Sequence, residues 1–121
     1  MTVNPMTALL DSTLGSAGEN PHAQSIIRML VAEAVAVAAA DGVTFDAEAV
    51  ISSIMQSARA LATGRASMCQ DIRAGRRTEI DFINGSVVRL GRQYGIPTPC
   101  HELMVDLIHA REDRNDTEKA E

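Results

Sequence analysis

Apolar residues recur along this chain with a helical period, and Gly, Pro and capping side chains mark the breaks. Val50, Ile51, Ile54, Met55, Ala58 and Leu61 form one stripe, which predicts a helix from near Asp46 to a stop or kink at Gly64. Ile80, Ile83, Val87, Leu90 and Tyr94 form a second, with Thr78 as the expected cap and Gly95 as the expected stop. Asn4-Pro5 predicts a short helix over Met6 to Leu14 with Asn4 as its N-cap, broken by Gly15-Ser16-Ala17-Gly18. Asn20-Pro21 repeats the device and predicts a long helix to about Ala40, closed by Asp41-Gly42. The Ala-rich end of that helix lets a neighbouring backbone approach, which predicts a central, buried position.

Ser67 is the expected cap of a short helix over Met68 to Ala74, closed by Gly75. Thr98-Pro99 opens the last helix, expected to bury Leu103, Met104, Leu107 and Ile108. From Arg111 onward the chain is charged and lacks an apolar face, so residues 1–110 are expected to form the domain and 111–121 a frayed tail. No stretch alternates as a half-buried strand would, and no internal repeat is found. The expected fold class is all-α, one compact multi-helix domain.

Composition sharpens this. With 121 residues the chain can bury one real core but has no room for a nucleotide-binding domain beside a substrate domain. It has no Trp, one Tyr and two Phe, so Ala, Val, Ile, Leu and Met must fill the interior, which favours packed helices over a sandwich or barrel. The same scarcity removes the ring platforms on which single-stranded nucleic acid stacks.

The net charge of −5 is unevenly spread. Residues 65–92 are net positive, with Arg65, Arg73, Arg76, Arg77, Arg89 and Arg92 against Asp71, Glu79 and Asp81, while both flanks are net negative. Such a segment suits an anionic small molecule, a partner surface or plain ion pairing, and is too weak for a nucleic-acid footprint. Lys119 is the only lysine. Cys69 and Cys100 match no metal-ligand spacing, and His22, His101 and His109 are scattered, so no metal site is expected. Unpatterned cysteines and no apolar leader predict a cytoplasmic setting. The most apolar run, Val31 to Ala40, contains Glu33 and is too short to span a membrane, so no membrane partner is expected. The glycines never fall in a dinucleotide or P-loop spacing.

One segment carries a specific pattern. Residues 67–99 contain Ser67-Met68-Cys69-Gln70-Asp71, then Gly75-Arg76-Arg77-Thr78-Glu79-Ile80-Asp81, then Ile83-Asn84-Gly85, then Gly95-Ile96-Pro97-Thr98-Pro99. In order and spacing this resembles the signature of the C-terminal domain of the ketopantoate reductase (2-dehydropantoate 2-reductase) family. Asn4-Pro5-Met6-Thr7-Ala8-Leu9 resembles the start of the same domain. The resemblance covers about residues 3–108.

It implies a helical substrate domain similar to the C-terminal domain of 6-phosphogluconate dehydrogenase, closing over ketopantoate opposite an NADPH-binding Rossmann domain. It implies hydride transfer from NADPH to the keto carbon, with a Lys protonating the carbonyl oxygen. Carried over by position, Glu79 matches the active-site glutamate, Ser67 the serine that hydrogen-bonds substrate, and Asn4 an asparagine lining the cleft. Those residue types suit such chemistry, because a hydroxyl at a helix start can help hold a carboxylate and a carboxylate can orient a reacting hydroxyl.

The catalytic Lys and a second asparagine would fall upstream of Met1, and the Rossmann domain is not in the sequence. The expectation is therefore a substrate domain, truncated or stand-alone, that binds a ketopantoate- or pantoate-like acid weakly at best. It is expected to be incompetent in reduction unless a Rossmann-domain subunit completes it. The alternative is a non-catalytic helical dimerisation or scaffold module derived from that fold, working as a homodimer. Arg73, Arg76 and Arg77 either face the cleft or pair on the surface. Asn84-Gly85, Cys69 and the methionines read as structural.

Overall fold

The computed structural model describes residues 1–120. Among them are seven helices and no strand: α1 Val3–Leu10, α2 Leu14–Glu19, α3 Pro21–Ala40, α4 Ala47–Ala60, α5 Ser67–Arg73, α6 Asn84–Tyr94 and α7 Pro99–Ala120. The all-α expectation is met.

Local chemistry explains the long elements. Asn20 Oδ1 accepts from the backbone N–H groups of His22 (2.9 Å) and Ala23 (3.0 Å), and Pro21 opens α3. Asp46 Oδ1 does the same for Glu48 and Ala49 at the start of α4. Gly42 (φ 90°) and Gly95 (φ 70°) turn the chain out of α3 and α6 as expected.

Two apolar clusters make the core. Met6, Ala23, Ile27, Leu30, Val31, Ile51 and Met104 form one; Ala8, Met68, Ile72, Ile80 and Ile108 form the other. Helices α1 and α7 contribute to both, so they hold the two halves together. Helix α3 is long and apolar enough to cross a membrane by length and composition alone. It packs on α2, α4, α6 and α7, which marks it as a core helix. Its buried residues are Ala23, Ile27, Leu30, Val31 and Val37, so one face is buried rather than the whole helix.

Several expected boundaries are corrected. Helix α1 already begins at Val3, so Asn4 and Pro5 lie in its first turn, and Thr2 precedes it without a side-chain cap. Asn4 is therefore not an N-cap. Gly15 and Gly18 do not break a helix; they belong to α2. A Cβ on Gly15 would lie 2.7 Å from the Ala62 Cβ and one on Gly18 2.9 Å from the Ala58 Cβ, so these glycines let α2 press onto the end of α4. Ser67 is the first residue of α5, preceded by Ala66, and does not cap it.

Thr78 caps no helix either, because α6 starts only at Asn84. Its N–H and hydroxyl both donate to Glu112 Oε2 (2.6 and 2.8 Å), which ties the segment to α7 before α6 can begin. On α7, Met104 and Ile108 are buried as expected, but Leu103 and Leu107 are 59% and 41% exposed. The buried face is instead His101, Met104, Ile108 and Glu112. It turns a polar residue inward at each end, which a count of apolar positions misses. The frayed-tail expectation is corrected for the same reason: Glu112 is 2% exposed, and α7 continues to Ala120.

Candidate functional site

Helices α1 and α4 and the start of α5 enclose a hollow of about 400 Å³. Its floor is apolar, with Ile54 and Ala58 from α4 and Leu61 just after it. Its polar groups are Thr2 before α1, Asn4 from α1, Ser67 from α5, and Ser53 and Ser57 one turn apart on α4. Asn4 Oδ1 is buried and has no hydrogen-bond partner among the described residues. A buried carbonyl oxygen left unpaired costs about 1–3 kcal/mol, so such atoms are rare in native folds. Ser67 is exposed on this wall, and its hydroxyl makes no bond within the described chain. The structure thus brings two of the three sequence-predicted site residues together.

Glu79 does not line the hollow. It lies exposed in the turn between α5 and α6, and its carbonyl accepts from Phe82 N (3.0 Å) and Ile83 N (3.1 Å). Ser53 and Ser57 escape a reading of α4 that follows only its apolar stripe. Two serines four residues apart, off that stripe, are the signal that finds them.

A second hollow, of about 530 Å³, opens beside the first and shares Met1, Thr2 and Ile54 with it. Val31, Val35, Val50, Val87 and Leu90 make it almost wholly apolar, so it offers little chemistry.

The remaining candidates resolve into structure. Arg73 pairs with Asp11, Arg76 with Asp71, and Arg77 with Glu112, Asp113 and Asp116. All three of these arginines are engaged in ion pairs. Lys119 donates to the Gly75 carbonyl, which holds it at the end of α5. His101 is fully buried; one ring nitrogen meets the Leu30 carbonyl (2.8 Å) and the other Asn84 Nδ2 (3.1 Å). Burial pushes its pKa down against the Leu30 bond, so the ring stays neutral and serves the core. Asn84 also donates to the Met1 carbonyl (2.8 Å), and its Oδ1 is buried without a partner. The Cys100 thiol is held up in pKa by a hydrogen bond to Glu33, by burial and by the Glu33 charge, which disfavours a thiolate. No cluster of His, Cys, Asp or Glu suited to a metal ion occurs among the described residues.

The seven-helix fold superposes on domains of solved dehydrogenases and reductases. The structure of D-mandelate dehydrogenase with NADH and anilino(oxo)acetate superposes with a TM-score of 0.91 at 32% identity, covering 95% of this chain and 64% of that one. A PanE/ApbA family ketopantoate reductase from Ralstonia eutropha superposes with a TM-score of 0.85 at 30% identity, covering 95% of this chain and 38% of that one. The family described as "Ketopantoate reductase PanE/ApbA C terminal" matches residues 1–112, and the chain belongs to it. The 2-dehydropantoate 2-reductase of Archaeoglobus fulgidus is 34% identical over 110 residues, 91% of this chain and 36% of that protein. That of Streptococcus pyogenes serotype M1 is 36% identical over 112 residues, 92% of this chain and 36% of that protein. The chain spans about a third of the length of these curated relatives.

Proposed function

We propose that this chain is the substrate-holding half of an NADPH-dependent 2-keto-acid reductase of the ketopantoate reductase type. The observation that carries the reading is that Asn4 and the exposed, unbonded Ser67 hydroxyl line one hollow beside an apolar floor. The Asn4 amide meets the 2-hydroxyl or 2-keto oxygen of the acid, Ser67 donates to its carboxylate, and the floor of Ile54, Ala58 and Leu61 takes its carbon skeleton. Glu79 is assigned to the reacting carbonyl and hydroxyl on the strength of its motif position.

The residues present do not suit the dinucleotide. The described residues are helical, with no strand leading into a glycine-rich turn, so no hydride step is derived through this chain. The cofactor and the proton-donating Lys are assigned to a Rossmann-type domain outside residues 1–121, and these residues alone are expected to bind but not reduce.

Calorimetric titration with pantoate tests the proposal. Millimolar binding that weakens about tenfold in Ser67→Ala and in Asn4→Ala supports it, each change removing about one ligand hydrogen bond. No heat at millimolar pantoate, or equal affinity in both variants and the parent, refutes it. NADPH turnover by residues 1–121 alone refutes the assignment of the chemistry to another domain.

A further inference from the structure

The turn that carries Glu79 is held on both sides of that residue by a charged network that the sequence does not advertise. Before it, Glu112 Oε2 accepts both the N–H and the hydroxyl of Thr78. After it, Asp81 Oδ1 meets His109 Nε2 at 2.8 Å, and the opposite ring nitrogen meets Glu112 Oε1 at 2.7 Å. Between these anchors the Ile80 side chain is fully buried in the second cluster. Every neighbour of Glu79 is thus tied down. The Glu79 carboxylate itself has no bond within the described chain.

We propose that Glu112, Thr78 and His109 are positioning residues that fix the turn carrying Glu79, with the protonation of His109 tightening the clamp. This rests on the reading of Glu79 as the substrate-facing carboxylate. A neutral imidazole can donate from one nitrogen only, so between two carboxylates it leaves one lone pair facing another. The imidazolium donates to both. The loss of that proton therefore weakens the hold on Asp81 or on Glu112, and the turn loosens at one end.

The charges around the ring agree with this. Asp81 faces it from the turn, Glu112 from its own helix, and Asp106 stands one turn earlier on α7. Arg77 meets Glu112 Oε1 at 3.2 Å and is itself paired with Asp113 and Asp116. From α6, Arg89 shares a polar hollow of about 300 Å³ with Asp81 and Asp106. Acids outnumber bases, and the Asp81 bond, which outweighs burial, raises the His109 pKa above its ordinary value.

The test uses the full chain, isotope-labelled, in a pH titration followed by NMR. The His109 ring is expected to titrate above the ordinary value of about 6.5, and the amides of Glu79, Ile80 and Phe82 to move with the same midpoint. His109→Gln is expected to remove that movement, and to weaken pantoate about three- to tenfold at acid pH while leaving little effect at alkaline pH. Glu112→Gln and Thr78→Val are each expected to loosen the same amides, and the second covers the case that the first fails to fold. Amides of 79–82 that stay still while His109 titrates overturn the proposal. So does His109→Gln binding pantoate like the parent when Glu79→Gln binds it more weakly. If Glu79→Gln binds like the parent, the site reading falls instead, and an intact coupling between His109 and the turn identifies that failure as separate.

Discussion

Glu33 offers the sharpest test of how the fold is held. It stands in the most apolar stretch of the chain, yet its two carboxylate oxygens reach across to α7 and accept from Cys100 N (2.8 Å) and His101 N (3.0 Å). Those N–H groups lie in the first turn of α7, where no helical carbonyl can serve them, and Pro99 before them has no N–H. A side chain from another helix thus takes the place of an N-cap. Removing it in Glu33→Ala leaves two half-buried donors unpaired and takes a negative charge from the positive end of a long helix. Charge-assisted bonds contribute about 1.5–3 kcal/mol and the dipole term up to about 1 kcal/mol, against some recovered side-chain entropy. The expected loss is about 3 kcal/mol for Glu33→Ala and about half that for Glu33→Gln, which keeps one acceptor. For a chain of this length each kcal/mol lowers the melting temperature by about 4 °C, so the shifts are about 12 and 6 °C. Circular dichroism melts with matched urea titrations measure both. A loss under about 1 kcal/mol for Glu33→Ala, or equal losses for the two variants, refutes the cross-helix cap.

Other outcomes follow from single contacts. Asn20→Ala removes the cap of α3 and is expected to cost about 1 kcal/mol in urea titrations. Leu30→Ala empties a fully buried site in the first cluster and is expected to cost about 2–5 kcal/mol. Asn4→Ala removes a buried oxygen that makes no internal bond, so stability is expected to rise by about 1 kcal/mol in urea titrations; a large loss would argue against a ligand role. For Glu112, burial raises the pKa, but bonds from the Thr78 N–H and hydroxyl, His109 and Arg77 together hold it below the ordinary carboxylate range. Its contribution is therefore present above the ordinary carboxylate pKa and lost as pH falls through the lower folded value. His109 has the opposite sign. Its raised pKa gives stability complete below the ordinary histidine range and lost as pH rises through the folded value. Urea midpoints against pH should lose the acid limb in Glu112→Gln and the alkaline decline in His109→Gln.

Much of the fold is legible in the sequence for a physical reason. Local capping is written in adjacent residues, so Asn20-Pro21, Asp46 and Gly95 mark the ends of α3, α4 and α6 where the structure has them. The motif around Ser67 likewise points to the wall of the hollow. What stays hidden depends on partners far along the chain. Thr78 reads as a cap because Glu112, thirty-four residues away, cannot be seen beside it. Glu33 reads as an interruption because its partners are on another helix. Gly15 and Gly18 read as breakers because the alanines they press against lie at the far end of α4. His101 and Glu112 are missing from the expected buried face because polarity hides burial when the polar atoms are fully paired. Glu79 is placed by motif, and the motif does not say whether its side chain enters the hollow.

The reach of α7 has a consequence for how the protein is made. It is the last of the seven described helices, and it packs on α1, α3, α5 and α6. Until residues through Glu112 have been synthesised, both apolar clusters lack a member, the start of α7 has not met Glu33, and the turn at Thr78 has no anchor. The earlier helices must therefore wait on the ribosome with apolar faces open, and the domain closes in one late step rather than helix by helix. Residues 99–112 act as a clasp, and the pace at which they emerge sets how long those faces are exposed to chaperones or to aggregation.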